Sequence, residues 1–189
     1  KAAASLLKSA KNPVILMGRV SRSMEGWNDR VALAEAVNAK VITELKLGAA
    51  FPTDHPLHAG APGGTALGPD AQAAVRSADV ILSLDWVDLA GAFKATFGDR
   101  PPQAKVIVVS NDFRIHNGWS MDYQGLPPAD VLLPVTPEEA VPELLKAVGG
   151  AGKPCSSAPA KKAEIPPLST DKLIVNDLVR ALKTAVGDR

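Results

Sequence analysis

Residues 10–18 read Ala10-Lys11-Asn12-Pro13-Val14-Ile15-Leu16-Met17-Gly18, and this stretch decides the fold class. Val14 to Met17 is a continuous apolar run without polar alternation, as expected of a strand buried on both faces of a parallel sheet. Asn12-Pro13 ends the segment before it, because proline disfavours helical geometry in the preceding residue. Upstream, Ala3, Leu6, Leu7 and Ala10 recur at helical spacing and predict a short opening helix. Downstream, Met24, Trp27, Val31, Ala34 and Val37 recur every three or four residues, so one helix face is apolar. Ser23 suits its N-cap, with Glu25 near the positive end of the helix dipole. Asn38 suits a left-handed stop before a second strand, Lys40 to Leu45.

The alternation of strand and helix continues, which is the pattern of an α/β domain built on a parallel sheet. A long loop, Lys46 to Gly68, carries Phe51-Pro52-Thr53-Asp54-His55-Pro56 and then a glycine run. Pro69 opens a helix to Ser77, in the first helical position that proline favours. Asp79 to Leu84, Lys105 to Ser110 and Asp130 to Val135 read as the third, fourth and fifth strands, with a helical segment at Leu89 to Phe97. Thr136 and Glu139 have capping-box spacing around Pro137. Pro142 conflicts with a regular helix there, so a kink, or a short turn before a helix from Pro142 to Val148, is expected, closed by Gly149. Residues 149–168 are rich in Gly, Pro, Ser, Ala and Lys and read as a linker. Thr170 then caps an amphipathic helix with Leu173, Ile174, Leu178, Leu182 and Val186.

Composition narrows the function. The 189 residues hold 21 Lys+Arg against 20 Asp+Glu, which removes the electrostatic reason to expect nucleic acid or an anionic membrane as a partner. No run approaches the length of a transmembrane helix, and Cys155 has no second cysteine to pair with, so a reducing cytoplasm is the expected compartment. The start at Lys1, already in a helical pattern, leads us to expect a piece of a longer protein.

The candidate sites are incomplete. Gly18-Arg19-Val20-Ser21-Arg22-Ser23 follows the first strand, where a dinucleotide fingerprint would place three glycines; only the first is present, and Val20 replaces the second. Gly60-Ala61-Pro62-Gly63-Gly64-Thr65 lacks the lysine of a phosphate-binding loop. Turns are therefore the preferred reading of both, although ligands of open α/β sheets do bind at that edge. Asp54, His55 and His58 resemble metal ligands, but Pro56 interrupts them and no third histidine or cysteine lies near, which favours a structural loop. Asp85 and Asp88, just after the third strand, are expected to cap the next helix. His116, after the fourth strand, reads as lining a cleft or an interface, Cys155 is incidental, and core packing or interface contact explains Trp27, Trp86 and Trp119. No Gly-x-Ser-x-Gly elbow is present.

The order of these features resembles the central domain of thiamine-diphosphate-dependent enzymes of the acetolactate synthase, benzoylformate decarboxylase and pyruvate oxidase group. The resemblance is carried by residues 10–18, by Leu33-Ala34-Glu35-Ala36-Val37-Asn38-Ala39-Lys40-Val41-Ile42-Thr43, and above all by Phe51-Pro52-Thr53-Asp54-His55-Pro56-Leu57-His58-Ala59-Gly60. Ala78-Asp79-Val80-Ile81-Leu82 and Lys105-Val106-Ile107-Val108-Val109 are similar to later strands. It implies a three-layer Rossmann-like α/β domain with a mostly parallel five- to six-stranded sheet over residues 1–148, a linker at 149–168, and the first helix of a following domain at 169–189.

It further implies a fragment that is catalytically silent alone, within an acetolactate synthase-like, homo-oligomeric cytoplasmic enzyme acting on 2-oxo acids. Thiamine diphosphate and Mg2+ would belong to the full-length enzyme, through a glutamate of the preceding domain and a Gly-Asp-Gly…Asn motif of the following one. Some members hold FAD or ADP in this domain. Carried over by position, Gly18, Arg19, Val20, Thr43, Leu45, Gly60, Gly63 and Asp112 form a candidate vestigial nucleotide site. Val20, and the lack of glycine and arginine in Leu84-Asp85-Trp86-Val87-Asp88, disfavour FAD. The alternative is a stand-alone FAD- or nucleotide-binding α/β domain, for which a complete phosphate loop or a Cys-rich zinc site would be expected.

Overall fold

The first apolar run becomes the centre of the molecule. In the computed structural model, which describes residues 1–45, 47–60, 67–112, 123, 125–149 and 172–187, strand β1 (Pro13–Met17) is buried along its whole length. It pairs in parallel with β2 (Lys40–Thr43) on one side and β4 (Val80–Leu84) on the other. β5 (Lys105–Val109) and β6 (Val131–Leu133) extend the sheet beyond β4, and β3 (His58–Gly60) closes the opposite edge. The result is a six-stranded, all-parallel sheet in the order β3-β2-β1-β4-β5-β6, the α/β class expected from the alternation.

Alternate side chains of each strand feed two separate cores, because successive residues point to opposite faces. Ile15, Met17, Leu82, Ile107 and Val109 pack with Leu7 of α1 (Ala2–Ser9), Leu33 and Val37 of α2 (Met24–Val37), and Val141 and Leu144 of α5 (Pro137–Val148). Val14, Leu16, Ile81, Val106 and Val108 pack on the other face against Ala71 and Val75 of α3 (Pro69–Ser77) and Leu89 and Phe93 of α4 (Leu89–Phe97). Three layers follow directly from this two-sided burial.

The predicted caps are present. Ser23 Oγ accepts the Gly26 amide at 3.1 Å, and Asn38 ends α2 in the left-handed conformation at φ 52°. Thr136 Oγ1 accepts the Glu139 amide while the Glu139 carboxylate accepts the Thr136 amide, completing the capping box.

Four expectations need correction. The segment read as one loop, 46–68, contains β3, whose register with β2 slips between Val41 and Ile42. Three half-buried residues carry no hydrophobic period, so only the exposed edge of β2 templates this strand. β2 ends at Thr43, and Leu45 is left largely exposed. α5 runs through Pro142 without an intervening turn. Pro142 lies on the exposed side, where water replaces the one hydrogen bond it removes, and the capping box has already fixed the first turn. Finally, α6 is Val175–Val186, begun by Asp177 accepting the Ile174 amide at 3.0 Å; Thr170 and residues 150–168 of the expected linker lie outside the described residues.

Asp79 fixes how the chain enters β1. Its carboxylate accepts the amides of Lys11 at 2.6 Å and Asn12 at 3.0 Å, while Asn12 Nδ2 donates to Ser77 O at 2.6 Å. Burial pushes this carboxyl up, but the amides facing it outweigh that and hold its pKa below the ordinary value. The stabilisation is therefore present above the carboxylate range and is lost as pH falls through the depressed folded pKa. Asp79→Ala should cost about 1 kcal/mol at pH 7 in urea unfolding, with the gap from wild type narrowing as pH falls below the ordinary carboxylate value of 3.8.

Candidate functional site

In the strand order found here the connections reverse direction between β1 and β4, and a ligand of such a sheet would enter the crevice at their carboxyl ends. Two turns meet there. The Gly18 amide donates to Leu84 O at 2.9 Å and the Arg19 amide to Asp85 O at 3.0 Å, while the Asp85 amide donates to Val109 O at 2.8 Å. The turns are so close that a Cβ on Gly18 would lie 2.2 Å from Asp85 O and 2.5 Å from Trp86 Cα. Asp85 itself is left-handed, at φ 55°.

The Arg19 side chain lies across this closure. Its Nε meets Asp85 Oδ2 at 2.8 Å, and its Nη2 donates to Asp85 Oδ1 at 2.9 Å and to Asp112 Oδ2. Ser110 Oγ donates to Asp85 Oδ1 at 2.6 Å and accepts the Asp112 amide at 2.9 Å. Burial opposes the charge on Arg19, but the two carboxylates outweigh it and raise its pKa. Next to this cluster, Ser83, Trp86, Ser110 and Leu126 border a cavity of about 30 Å³, room for a single water. Asp88 caps α4 through the Gly91 amide at 3.0 Å, as expected; Asp85 does not, because its carboxylate is taken by Arg19 and Ser110.

Of the candidate nucleotide residues, Gly18, Arg19 and Asp112 come together in this crevice. Val20 packs against the core, with α2 on the same face. Thr43 and Gly60 belong to the ends of β2 and β3, where Thr43 Oγ1 meets His58 Nε2 at 3.2 Å and Gly60 has φ 130°. Leu45 is exposed, and Gly63, His116, Trp119 and Cys155 lie outside the described residues.

His55 serves its loop, and His58 opens β3. His55 Nδ1 accepts the Leu57 amide at 3.2 Å, so Nε2 carries the proton toward Glu35 Oε1, also at 3.2 Å. Phe51 packs edge-on against His55 and stacks on His58. Among the described residues no three His, Cys, Asp or Glu side chains gather as a metal would require. Burial lowers the His58 pKa below its ordinary 6.5. The unfolded chain thus takes up that proton first, and stability is lost as pH falls from 6.5 through the folded value. Unfolding midpoints at pH 7.5 and 5.5 should differ for wild type, and differ less for His58→Gln.

Arg30 escaped the sequence reading. It is 1% exposed, and its Nε donates to Ala50 O at 3.0 Å while Nη2 donates to Ser21 O at 3.0 Å and Ala49 O at 3.2 Å. Its signal was its place on the apolar stripe of α2, three residues after Trp27 and three before Leu33. Burial lowers its pKa, with Glu138 and Asp29 partly offsetting that. Arg30 borders a 170 Å³ cavity between the first turns of α2 and α5, rimmed by Glu25, Asp29 and Glu138.

The family model described as thiamine pyrophosphate enzyme, central domain, matches residues 1–117, over the whole of β1 to β5 and the crevice between them. The chain belongs to this family. A sulfoacetaldehyde acetyltransferase of Rhodobacter capsulatus is 45% identical over 82 residues, which are 43% of this chain and 14% of that protein. Benzoylformate decarboxylase from Polynucleobacter necessarius shares the fold with a TM-score of 0.64 at 20% identity, over 100% of this chain and 34% of its own. A thiamine diphosphate-dependent 4-hydroxybenzoylformate decarboxylase of Rhodococcus jostii gives 0.59 at 18%, over 89% and 30%. The chain therefore spans about a third of the solved proteins it matches. In this thiamine pyrophosphate enzyme central domain, the crevice where a nucleotide diphosphate would lie has its turn amides engaged and its arginine matched by two carboxylates. Those residues do not fit a diphosphate.

Proposed function

We propose that this chain is the central scaffold domain of a thiamine-diphosphate-dependent enzyme acting on 2-oxo acids, acetolactate synthase-like, with no catalytic apparatus of its own. The observation that carries the reading is the closed switch point: the amides of Gly18 and Arg19 bond to the β4 turn, and Arg19 is paired with two carboxylates. On this reading thiamine diphosphate and Mg2+ are held by the flanking domains of the same polypeptide, in a homo-oligomeric cytoplasmic enzyme. No helix among the described residues is long and apolar enough to cross a membrane, consistent with that setting. The domain's role is positional: two cores clamp a rigid sheet, against which neighbouring domains are set. On this reading residues 149–168 connect to a following domain whose first helix is α6. The apolar residues Leu178, Val179 and Leu182 of α6 are exposed, as a docking face would be.

Calorimetry tests the reading. Titration of the 189-residue chain with thiamine diphosphate and Mg2+ should give no saturable heat, and the purified chain should show no flavin absorbance. Stoichiometric binding of either cofactor would overturn it. The strand order, which is also that of dinucleotide-binding sheets, is the one observation that favours a stand-alone nucleotide-binding domain, and stoichiometric flavin or ADP binding would establish that alternative.

A further inference from the structure

Arg19 stands at the position in the sheet where an anionic ligand would be bound, and it already has anions. We propose that Asp85 and Asp112 are specificity-determining residues that act as an internal counter-ion for Arg19 and keep the crevice closed to phosphate ligands. Neutralising them converts it into a pyrophosphate site. The inference rests on the scaffold reading above and names what enforces it.

Charge is the first support. Arg19, Asp85 and Asp112 together carry one net negative charge at the switch point, so an incoming phosphate meets repulsion where a site for it needs attraction. Geometry is the second. The guanidinium offers its fork to carboxylates on two separate strand ends, Nε and Nη2 to Asp85 and Nη2 to Asp112. A carboxylate and a phosphate present similar oxygen pairs to arginine, so the two aspartates occupy Nε and Nη2, donors that a ligand would use. The third support is that the clasp is itself held. Ser110 Oγ donates to the Asp85 carboxylate and accepts the Asp112 backbone amide, so the Asp85 carboxylate is oriented, and the backbone that carries Asp112 is anchored, without a ligand. The Asp112 side chain is 45% exposed and that of Asp85 is 15% exposed. Asp112 is thus the outer member, and its removal opens the crevice to solvent.

The experiment uses inorganic pyrophosphate as the probe, with calorimetry on the 189-residue chain at low salt. The test variant is Asp85→Asn/Asp112→Ala. Asparagine tolerates the left-handed backbone of residue 85, and alanine vacates the exposed place at 112. Of these three positions, Arg19 alone then carries a charge, and it is positive. The variant should bind pyrophosphate roughly tenfold or more tightly than wild type, and adding Arg19→Gln should abolish the gain. If the double variant fails to fold, Asp112→Ala alone carries the test, with a gain of roughly threefold. No gain in a folded variant, or a gain that survives Arg19→Gln, overturns the counter-ion proposal and leaves the scaffold reading standing. Tight binding by wild type overturns both.

Discussion

Gly18→Ala is expected to destabilise the chain by about 3 kcal/mol or more, at the upper end of overpacking costs. The added Cβ would meet Asp85 O at 2.2 Å, Asp85 C at 2.5 Å and Trp86 Cα at 2.5 Å, and all of these are backbone atoms. A flexible side chain would swing aside, but this turn cannot. It is tied by Gly18 to Leu84, by Arg19 to Asp85 and by Asp85 to Val109, so relief requires breaking main-chain hydrogen bonds between three adjacent strands. Urea unfolding followed by circular dichroism should show a lowered midpoint with the slope unchanged. Gly68→Ala supplies the control. Gly68 has φ −64° and, among the described residues, nothing within 4 Å of its Cβ position, so this substitution should cost only the exchange of glycine for alanine at the N-cap of α3, about 1 kcal/mol or less. A Gly18→Ala variant as stable as that control would show that the turns do not clasp each other.

Arg30→Ala is expected to cost about 3 kcal/mol, from the cavity it leaves and from the three carbonyls of Ser21, Ala49 and Ala50 that lose a charged donor. The carbonyls belong to two loops, one after β1 and one after β2, so a single guanidinium ties the carboxyl ends of both strands to α2. No carboxylate lies within ion-pair distance among the described residues, and burial lowers the Arg30 pKa. The residue therefore stabilises through hydrogen-bond geometry, with charge pairing secondary. Arg30→Lys separates the two effects: it keeps the charge and loses the planar fork, and should recover little of the loss. Full recovery by lysine, in the same urea experiment, would refute this account.

Much of this architecture was legible because burial imposes its period on the sequence. The run Val14 to Met17 could only be a strand covered on both faces, and it is the central one. Ser23, Asn38 and the Thr136–Glu139 pair announced helix ends, because capping is chemistry between neighbours a few residues apart. β3 was not legible. His58 to Gly60 is a strand only because the edge of β2 offers it hydrogen bonds.

The candidate site divides along the same line. The positions after β1 were marked by Gly18 and by the missing later glycines, and residue types alone were enough to disfavour a dinucleotide. Asp85 was misassigned as a cap, since the groups that claim it, Arg19 and Ser110, lie 66 and 25 residues away. Arg30 was passed over for the same reason, its partners being backbone carbonyls that carry no residue signature.

By itself, then, the sequence determined the strand–helix alternation, the caps, the family resemblance and the absence of a glycine-rich phosphate loop. All of these rest on local spacing, which short-range sterics and burial period encode directly. Only the tertiary structure decided that the switch point is shut, that Arg19 is matched by two aspartates and that a buried arginine ties the loops. Each of those depends on which distant backbone and carboxylate groups folding brings within 3 Å or so of one another, and no local pattern carries that distance.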